Sequence, residues 1–152
     1  MKLVAYFSAS GVTKETGHRL SIAANTDEFE IIPEAIYTQS DLDWRNKKSR
    51  SSIEMNDASA RPAISNKVEN MDQYDTIYVG FPIWWYREPR IIDTFIEQYD
   101  FSGKTIILFA TSGSSGFGQT KGYLQALAPE ANIKEGKVYH SIPSASQLKC
   151  LV

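Results

Sequence analysis

The sequence of 152 residues has little of the side-chain chemistry on which most enzymes depend: one cysteine, Cys150, and two histidines, His18 and His140. A single cysteine cannot form a disulfide within the chain, which is typical of a reducing compartment, so we expect a cytoplasmic protein. The histidines lack the spacing of metal ligands, and no G-x-S-x-G elbow is present. We therefore predict no metal site and no catalytic side chain, and chemistry supplied by a cofactor is the simpler hypothesis.

The sequence also lacks a large excess of charge of either sign, and it lacks long apolar runs. The 16 basic and 18 acidic residues leave a net charge of −2, which gives no electrostatic reason to expect nucleic acid as a partner. No apolar run approaches the length of a membrane span, and we expect no membrane partner. Apolar residues make up 42% of the chain, enough for a true core, so we predict one domain over residues 1–152.

Short apolar runs alternate along the chain with segments of helical period. Runs that are apolar on both faces predict strands buried between two helix layers, as in a parallel sheet. We predict such strands at 3–7, 76–81 and 105–110, with weaker ones at 28–32 and 133–139. Apolar stripes predict helices around Leu20, Phe95 and Leu124. This alternation predicts an α/β fold of three layers with right-handed crossovers.

One connection, residues 37–63, is polar and has little sustained periodicity; we call it the insert. A connection this long inside a compact domain is usually a functional lid or a disordered segment. Within it, Asp41 is a residue type that favours helix N-caps, and we predict a short helix from there through Trp44.

The first candidate site is the loop between the first strand and the helix after it. This first loop, residues 8–13, contains Ser8, Ser10, Gly11, Val12 and Thr13 and no charged residue. Hydroxyl and backbone N–H groups at a helix N-terminus can wrap a phosphate monoester without any cation. The loop lacks the G-x-G-x-x-G and G-x-x-x-x-G-K-[ST] spacings of other nucleotide sites. A turn that merely caps the helix is an alternative of about equal weight.

Two more loops follow the strands predicted at 76–81 and 105–110, at the edge where parallel sheets bind ligands. The second loop, residues 82–89, holds three adjacent aromatic residues that cannot all point into one core, and aromatic rings stack on planar heterocycles. The third loop, residues 111–118, is rich in glycine, which permits close backbone approach. A roof over the sheet edge, or a partner contact, is the alternative for the second loop, and simple flexibility is the alternative for the third. The candidate ligands are Pro82, Ile83, Trp84, Trp85, Tyr86, Thr111, Ser112, Gly113, Gly116 and Phe117.

A phosphate cradle beside a flat apolar slot has the outline of FMN, and residues 4–13, VAYFSASGVT, resemble the phosphate loop of the flavodoxin family. Ala5 departs from that pattern, and Gly17 stands where the pattern has alanine. The segments DLDWRNKKSRSSIEMND, GFPIWWYREPRIIDTF and FATSGSSG resemble short bacterial flavodoxin-like proteins. The resemblance implies a flavodoxin-like fold, with a five-stranded parallel sheet in the order 2-1-3-4-5. It also implies that the first loop holds the FMN phosphate and that the other two loops flank the isoalloxazine ring.

The function predicted first is that of a flavodoxin-type FMN-binding protein, a monomer or weak dimer, which cycles flavin redox states to pass electrons to a redox partner protein. The alternative is an NAD(P)H-dependent FMN or quinone reductase on the same fold. In that enzyme, basic residues of the insert would contact a dinucleotide phosphate, although clustered lysines are usually just solvated. A flavin-free interaction domain is a third hypothesis. The basic residues concerned are Arg45, Lys47, Lys48, Arg50 and Arg61.

Overall fold

The apolar runs of the sequence form the strands of one parallel sheet. We describe residues 1–152 from a computed structural model. The sheet has five strands in the order β2-β1-β3-β4-β5, which confirms the predicted fold class and strand order. The strands are β1 (Lys2–Tyr6), β2 (Asp27–Glu30), β3 (Thr76–Pro82), β4 (Thr105–Thr111) and β5 (Asn132–Tyr139).

The register of the central strands brings the three candidate loops to one edge. Tyr6 at the end of β1 pairs with Gly80 of β3, and Pro82 at the end of β3 pairs with Thr111 at the end of β4. The order of strands reverses between β1 and β3, and such a reversal opens a crevice beyond the carboxyl ends of the strands. All three loops emerge beside that crevice.

Helices cover both faces of the sheet, and alternate residues of β1 serve two cores. Leu3 and Ala5 belong to the larger core, beneath α3 (Arg90–Gln98) and α4 (Thr120–Leu127). Val4 and Tyr6 belong to the smaller one, beneath α1 (Val12–Ala24) and α5 (Ala145–Lys149). At Gly17 in α1 a Cβ would overlap the Tyr6 ring, which explains the departure from alanine noted in the sequence. The helices are α1 (Val12–Ala24), α2 (Arg50–Met55), α3 (Arg90–Gln98), α4 (Thr120–Leu127) and α5 (Ala145–Lys149).

The insert is ordered, and its helix differs from the one predicted. Residues 41–44 form turns, with Asp41 Oδ2 accepting the Thr38 N–H over 2.9 Å. The helix is α2 instead, and it begins after Ser49, whose side chain accepts the Ser52 N–H. A guanidinium from α3 stabilises its other end, because Arg90 donates to the terminal carbonyls of this helix. No helix of the structure is both long and apolar enough to span a membrane.

Candidate functional site

The first loop reverses the chain between β1 and α1, and Gly11 permits that reversal. Its φ of 98° lies in the left-handed region, which favours glycine. The Gly11 N–H donates to Ser8 Oγ over 3.1 Å, whereas the N–H groups of Ser10, Val12 and Thr13 donate to no acceptor in the chain. Free N–H groups at the start of a helix form the positive end of its dipole, so they favour an anion.

The first loop itself contains no cationic side chain. Lys14, the next residue along the chain, pairs with Glu30 over 3.1 Å. The loop therefore offers amides and hydroxyls alone, and an anion bound there would be held by hydrogen bonds rather than by ion pairs.

A buried pair of hydroxyls joins the first loop to the third. Thr13 Oγ1 lies 2.7 Å from Thr111 Oγ1, at the end of β4, and both side chains are buried. Only one of the two hydroxyl protons can be used between them, so the other remains available for donation to a ligand. The two loops are consequently fixed relative to each other at the point where an anion would bind.

Ser112 organises the third loop, which is therefore more than a flexible glycine-rich segment. Its N–H donates to Tyr139 O over 3.0 Å. Its hydroxyl oxygen accepts the N–H groups of Ser114, at 3.2 Å, and Ser115, at 2.7 Å. The loop curls around this one side chain.

The second loop contains a tight turn, residues 84–87, that we call the aromatic turn. Trp84 and Arg87 exchange backbone hydrogen bonds of 3.0 and 3.1 Å. The two residues between them have positive φ values, 49° at Trp85 and 63° at Tyr86. Such a turn normally takes asparagine or glycine, because a bulky side chain in this conformation costs about 1 to 3 kcal/mol. The conformation leaves Trp85 37% and Tyr86 76% exposed.

Contacts with the core and the third loop hold the aromatic turn in place. The Trp84 ring packs edge-on against Phe7, with centroids 5.6 Å apart, and against Tyr37 of the insert at 5.3 Å. On the other side, a Cβ at Gly118 would collide with the carbonyl oxygen of Tyr86. Trp84 is thus the indole that packs into the core, and the two residues after it are left to the surface.

Next to the aromatic turn lies a set of buried and partly buried ionisable side chains, which we call the ion cluster. Arg87 donates to both carboxylate oxygens of Glu88, over 3.2 and 2.9 Å. Its guanidinium carbon also lies 3.8 Å from the centre of the Tyr123 ring. The Asp93 carboxylate faces three guanidinium groups at 3.5 to 3.9 Å. The members of the cluster are Arg61, Arg87, Glu88, Arg90 and Asp93.

Glu88 has the most perturbed carboxyl group of the cluster. Its side chain is 0% exposed, and this burial is the main reason that its pKa rises to about 8. The neighbouring Asp93 raises it further as hydrogen-bond acceptor and as negative charge, while Arg87 opposes the rise. Near neutral pH, the Glu88 carboxyl group is therefore protonated, and its O–H can donate a hydrogen bond to the Asp93 carboxylate.

A cleft of about 730 Å³ opens between the second loop, the third loop and the insert. None of the 11 residues that line it has a carboxylate, amine, guanidinium, imidazole or thiol group. Aromatic rings and hydroxyls predominate. The lining residues are Leu42, Trp44, Ser51, Ile83, Trp84, Trp85, Tyr86, Ser112, Gly113, Ser114 and Ser115.

An anion site built from uncharged donors lies beside an aromatic cleft, at the point where the strand order of the sheet reverses. We compared the chain with models of known protein families, and the result agrees with this site. A family model described as Flavodoxin matches residues 1–152. The chain belongs to the flavodoxin family. This membership confirms the resemblance found in the sequence and the predicted cofactor, FMN.

Solved structures include close relatives of this flavodoxin. Candidate flavoproteins from Bacteroides eggerthii DSM 20697 and Bacteroides uniformis ATCC 8492 are 46% and 47% identical to it, both with a TM-score of 0.92. The alignments cover 97% of this chain, and 92% and 94% of theirs. A Lactobacillus acidophilus NCFM flavoprotein in complex with FMN shares the fold, with 20% identity, a TM-score of 0.72, and coverage of 90% of this chain and 91% of that one. A comparison with curated proteins found no match.

The residues of this flavodoxin suit FMN in both size and chemistry. The cleft volume of about 730 Å³ lies within the ordinary range for cofactor sites. The free amides and hydroxyls of the first loop suit a phosphate monoester, and the aromatic walls of the cleft suit a flat heterocycle.

The structure brings most of the predicted site residues of this flavodoxin to one edge. Ile83, Trp84, Trp85, Tyr86, Ser112 and Gly113 line the cleft, and the first-loop residues lie beside it through the Thr13–Thr111 contact. The five residues of the first loop do not line the cleft themselves, and neither do four predicted residues of the second and third loops. Pro82 ends β3 and Thr111 ends β4, Gly116 lies further along the third loop, and Phe117 packs near Phe81 with centroids 6.4 Å apart.

The insert contributes residues to the cleft that were not predicted from the sequence. Leu42, Trp44 and Ser51 line it, although they lie between β2 and β3 and follow neither of the strands whose loops were predicted to bind. The length of the insert was the one available signal, since long connections often serve a site. The third loop also contributes Ser114 and Ser115, which were not among the predicted ligands.

Proposed function

We propose that this flavodoxin carries electrons on FMN, with the phosphate at the first loop and the isoalloxazine ring in the cleft, and passes them to a redox partner protein. Bound FMN supplies the redox chemistry that the side chains lack. The observation that carries the proposal is the lining of the cleft, in which no side chain is an acid, base or nucleophile at neutral pH.

The first loop would hold the phosphate through neutral donors. Free N–H groups of Ser10, Val12 and Thr13 and the spare proton of the Thr13–Thr111 pair all lie at the start of α1. No residue of the loop is cationic, and the neighbouring Lys14 pairs with Glu30, so the loop itself would leave the negative charge of the phosphate without a cationic partner. That charge disfavours further negative charge on the ring, so this arrangement favours a strongly reducing cofactor.

The cleft would leave an edge of the ring accessible to a partner. Trp44, at 72% exposure, and Tyr86, at 76%, stand at its mouth. Aromatic side chains that are exposed around a site are common at protein interfaces. A partner can therefore approach this edge and take electrons without the cofactor leaving.

The reductase alternative has less support from the contacts of the insert. Arg50 lies over the Tyr37 ring at 3.7 Å and pairs with Glu54, and Arg61 pairs with Glu97 and Asp93. Both are therefore occupied within the chain. Lys47 and Lys48 are exposed but do not line the cleft.

The test is a redox titration of the FMN-loaded protein, followed by mixing with NADPH or NADH. We expect two separate one-electron steps and no appreciable turnover with either dinucleotide alone, but rapid reduction once a separate flavoprotein reductase is added. The double variant Lys47→Ala, Lys48→Ala should behave like the wild type. A single two-electron step, with steady NADPH oxidation that this double variant slows, would establish the reductase instead. Protein that binds no added FMN would refute both readings.

A further inference from the structure

We propose that Ser51, on α2 of the insert, forms a hydrogen bond with the polar edge of the flavin ring, so that the insert determines ring binding. This inference rests on the proposed function, because it takes the cleft to be the ring site. Ser51 is 1% exposed and lines the cleft. Its hydroxyl oxygen has no hydrogen-bond partner in the chain, a condition shared by only two other buried side-chain atoms, Asp93 Oδ1 and Tyr139 OH.

The neighbouring serines show that the free hydroxyl of Ser51 is not a general property of α2. Ser49 Oγ donates to Ser52 Oγ over 2.9 Å, and the Ser52 N–H returns to Ser49 Oγ at 3.3 Å. These two side chains therefore satisfy each other at the start of the helix. The Ser51 N–H is also satisfied, by Asp41 O at 3.0 Å. The Ser51 hydroxyl alone is left over, and a buried hydroxyl without a partner is unfavourable unless a ligand completes it.

The position of Ser51 is fixed by contacts on both sides of α2. Arg90 of the ion cluster donates to the carbonyls of Glu54, at 3.2 Å, and Met55, at 3.1 Å. Arg50 donates to Glu54 at 2.9 Å and to Ala35 O at 2.6 Å. The helix is held firmly, so the hydroxyl is presented to the cleft in one place. Pre-organised donors bind with little further loss of conformational freedom.

Tyr37 links the same helix to the aromatic turn. Its phenol donates to the Glu54 carboxylate, and burial followed by that hydrogen bond raises its pKa far above the ordinary value, so it stays protonated. Its ring contacts Trp84, with centroids 5.3 Å apart. The wall that carries Ser51 and the wall that carries the aromatic residues are therefore packed against each other.

The chemistry of the cleft favours the ring over the phosphate as the partner of Ser51. The polar edge of isoalloxazine carries carbonyl oxygens and ring nitrogens, and a serine hydroxyl can both donate and accept. Ser112, another hydroxyl of the lining, already accepts two backbone N–H groups. No residue of the first loop lines the cleft, so the phosphate lies away from Ser51. Loss of this hydroxyl should consequently affect FMN and riboflavin equally.

The test compares Ser51→Ala with the wild type in two measurements: flavin affinity by fluorescence quenching, and the melting temperature of the flavin-free protein. We expect roughly 3- to 30-fold weaker binding of both FMN and riboflavin, as for the loss of one hydrogen bond. The flavin-free variant should melt at the wild-type temperature or above it, because the hydroxyl has no partner to lose. Binding and stability thus change independently.

Ser49→Ala is the matched control, because Ser49 caps α2 and does not line the cleft. It should lower the melting temperature of the flavin-free protein. Unchanged flavin affinity in Ser51→Ala, or a melting temperature that falls as in Ser49→Ala, would overturn the inference. Weaker binding of FMN alone would also overturn it, because it would assign Ser51 to the phosphate. A wild-type protein that binds neither flavin would instead refute the proposed function.

Discussion

The first loop and the aromatic turn lie at the same edge of the sheet, but different interactions stabilise their backbone conformations. In the first loop, the left-handed conformation falls on Gly11, where it is tolerated, and every group that faces a ligand is neutral. In the aromatic turn, the residues with left-handed backbone conformation are Trp85 and Tyr86. There, the Arg87–Glu88 hydrogen bonds and the close contact with Gly118 stabilise a conformation that the residues themselves disfavour.

This difference separates two ways of pre-organising a cofactor site. The first loop relies on local backbone geometry, so its shape depends on few distant residues. The aromatic turn depends on tertiary contacts: the bidentate Arg87–Glu88 pair, and the close approach of Gly118 to the Tyr86 carbonyl. Changes to the ion cluster should therefore alter protein stability, whereas changes to the first loop should alter cofactor affinity.

The largest expected effect comes from the support of the aromatic turn, in Arg87→Leu. The substitution removes both hydrogen bonds to the buried Glu88 carboxyl group and one of the three guanidinium groups that face the buried Asp93 carboxylate, so we expect a loss of about 3 kcal/mol in the free energy of unfolding of the flavin-free protein. Urea denaturation at pH 7 measures it. Arg45→Leu is the control, because the Arg45–Asp43 pair is largely exposed and should contribute less than about 0.5 kcal/mol. Equal losses in the two variants would show that the turn does not depend on the ion cluster.

On the first loop, Thr13→Val should reduce FMN affinity about 10- to 100-fold, because it removes a hydroxyl from the phosphate cradle. Riboflavin, which has no phosphate, should lose far less. Fluorescence titration with both flavins measures the ratio. Thr94→Val is the control, because the Thr94 hydroxyl is also buried but bonds to Arg90 O on α3, and it should leave the ratio unchanged. Equal losses of affinity for the two flavins in Thr13→Val would show that the phosphate does not bind at this loop.

The same contrast explains which parts of the molecule could be predicted from the sequence. The run at 76–81 is apolar on both faces and became β3 (Thr76–Pro82) almost unchanged, because burial between two layers requires that pattern. The turn of the first loop was also predictable, because Gly11 and the serine and threonine hydroxyls around it are local features of the sequence; the phosphate site there stays a prediction. These features depend on neighbours in the chain.

The parts that were missed depend on distant residues. Asp41 favoured a helix through Trp44, but the helix lies at α2, where Arg90 from α3 stabilises its end. The identities of Trp85 and Tyr86 do not predict positive φ values, since aromatic residues rarely adopt them. Ser51 gave no signal at all, because its free hydroxyl appears only when the insert is folded against the second and third loops.

Protonation of Glu88 should make the stability of the aromatic-turn region depend on pH. Its pKa of about 8 lies above the ordinary value of 4.5, so the folded chain binds a proton that the unfolded chain releases. The corresponding stability is fully present below about pH 4.5 and is lost as the pH rises through about 8. Glu88→Gln keeps a neutral side chain at every pH. We expect the wild type to lose about 1 to 2 kcal/mol relative to this variant between pH 6 and pH 8. Urea denaturation of both flavin-free proteins measures it, and parallel pH profiles would contradict the prediction.

The smallest effect isolates the conformational cost of the aromatic turn, through two substitutions at Tyr86. Tyr86→Ala and Tyr86→Gly both remove the exposed ring, so both should weaken flavin binding by a similar factor of a few. Of these two replacements, only glycine adopts a φ of 63° without strain, so the glycine variant should be more stable than the alanine variant by about 0.5 to 1 kcal/mol without flavin. Thermal unfolding of the two flavin-free variants measures the difference. Alanine as stable as glycine would mean that the turn relaxes to negative φ once the ring is gone, and that the ring itself holds the left-handed conformation.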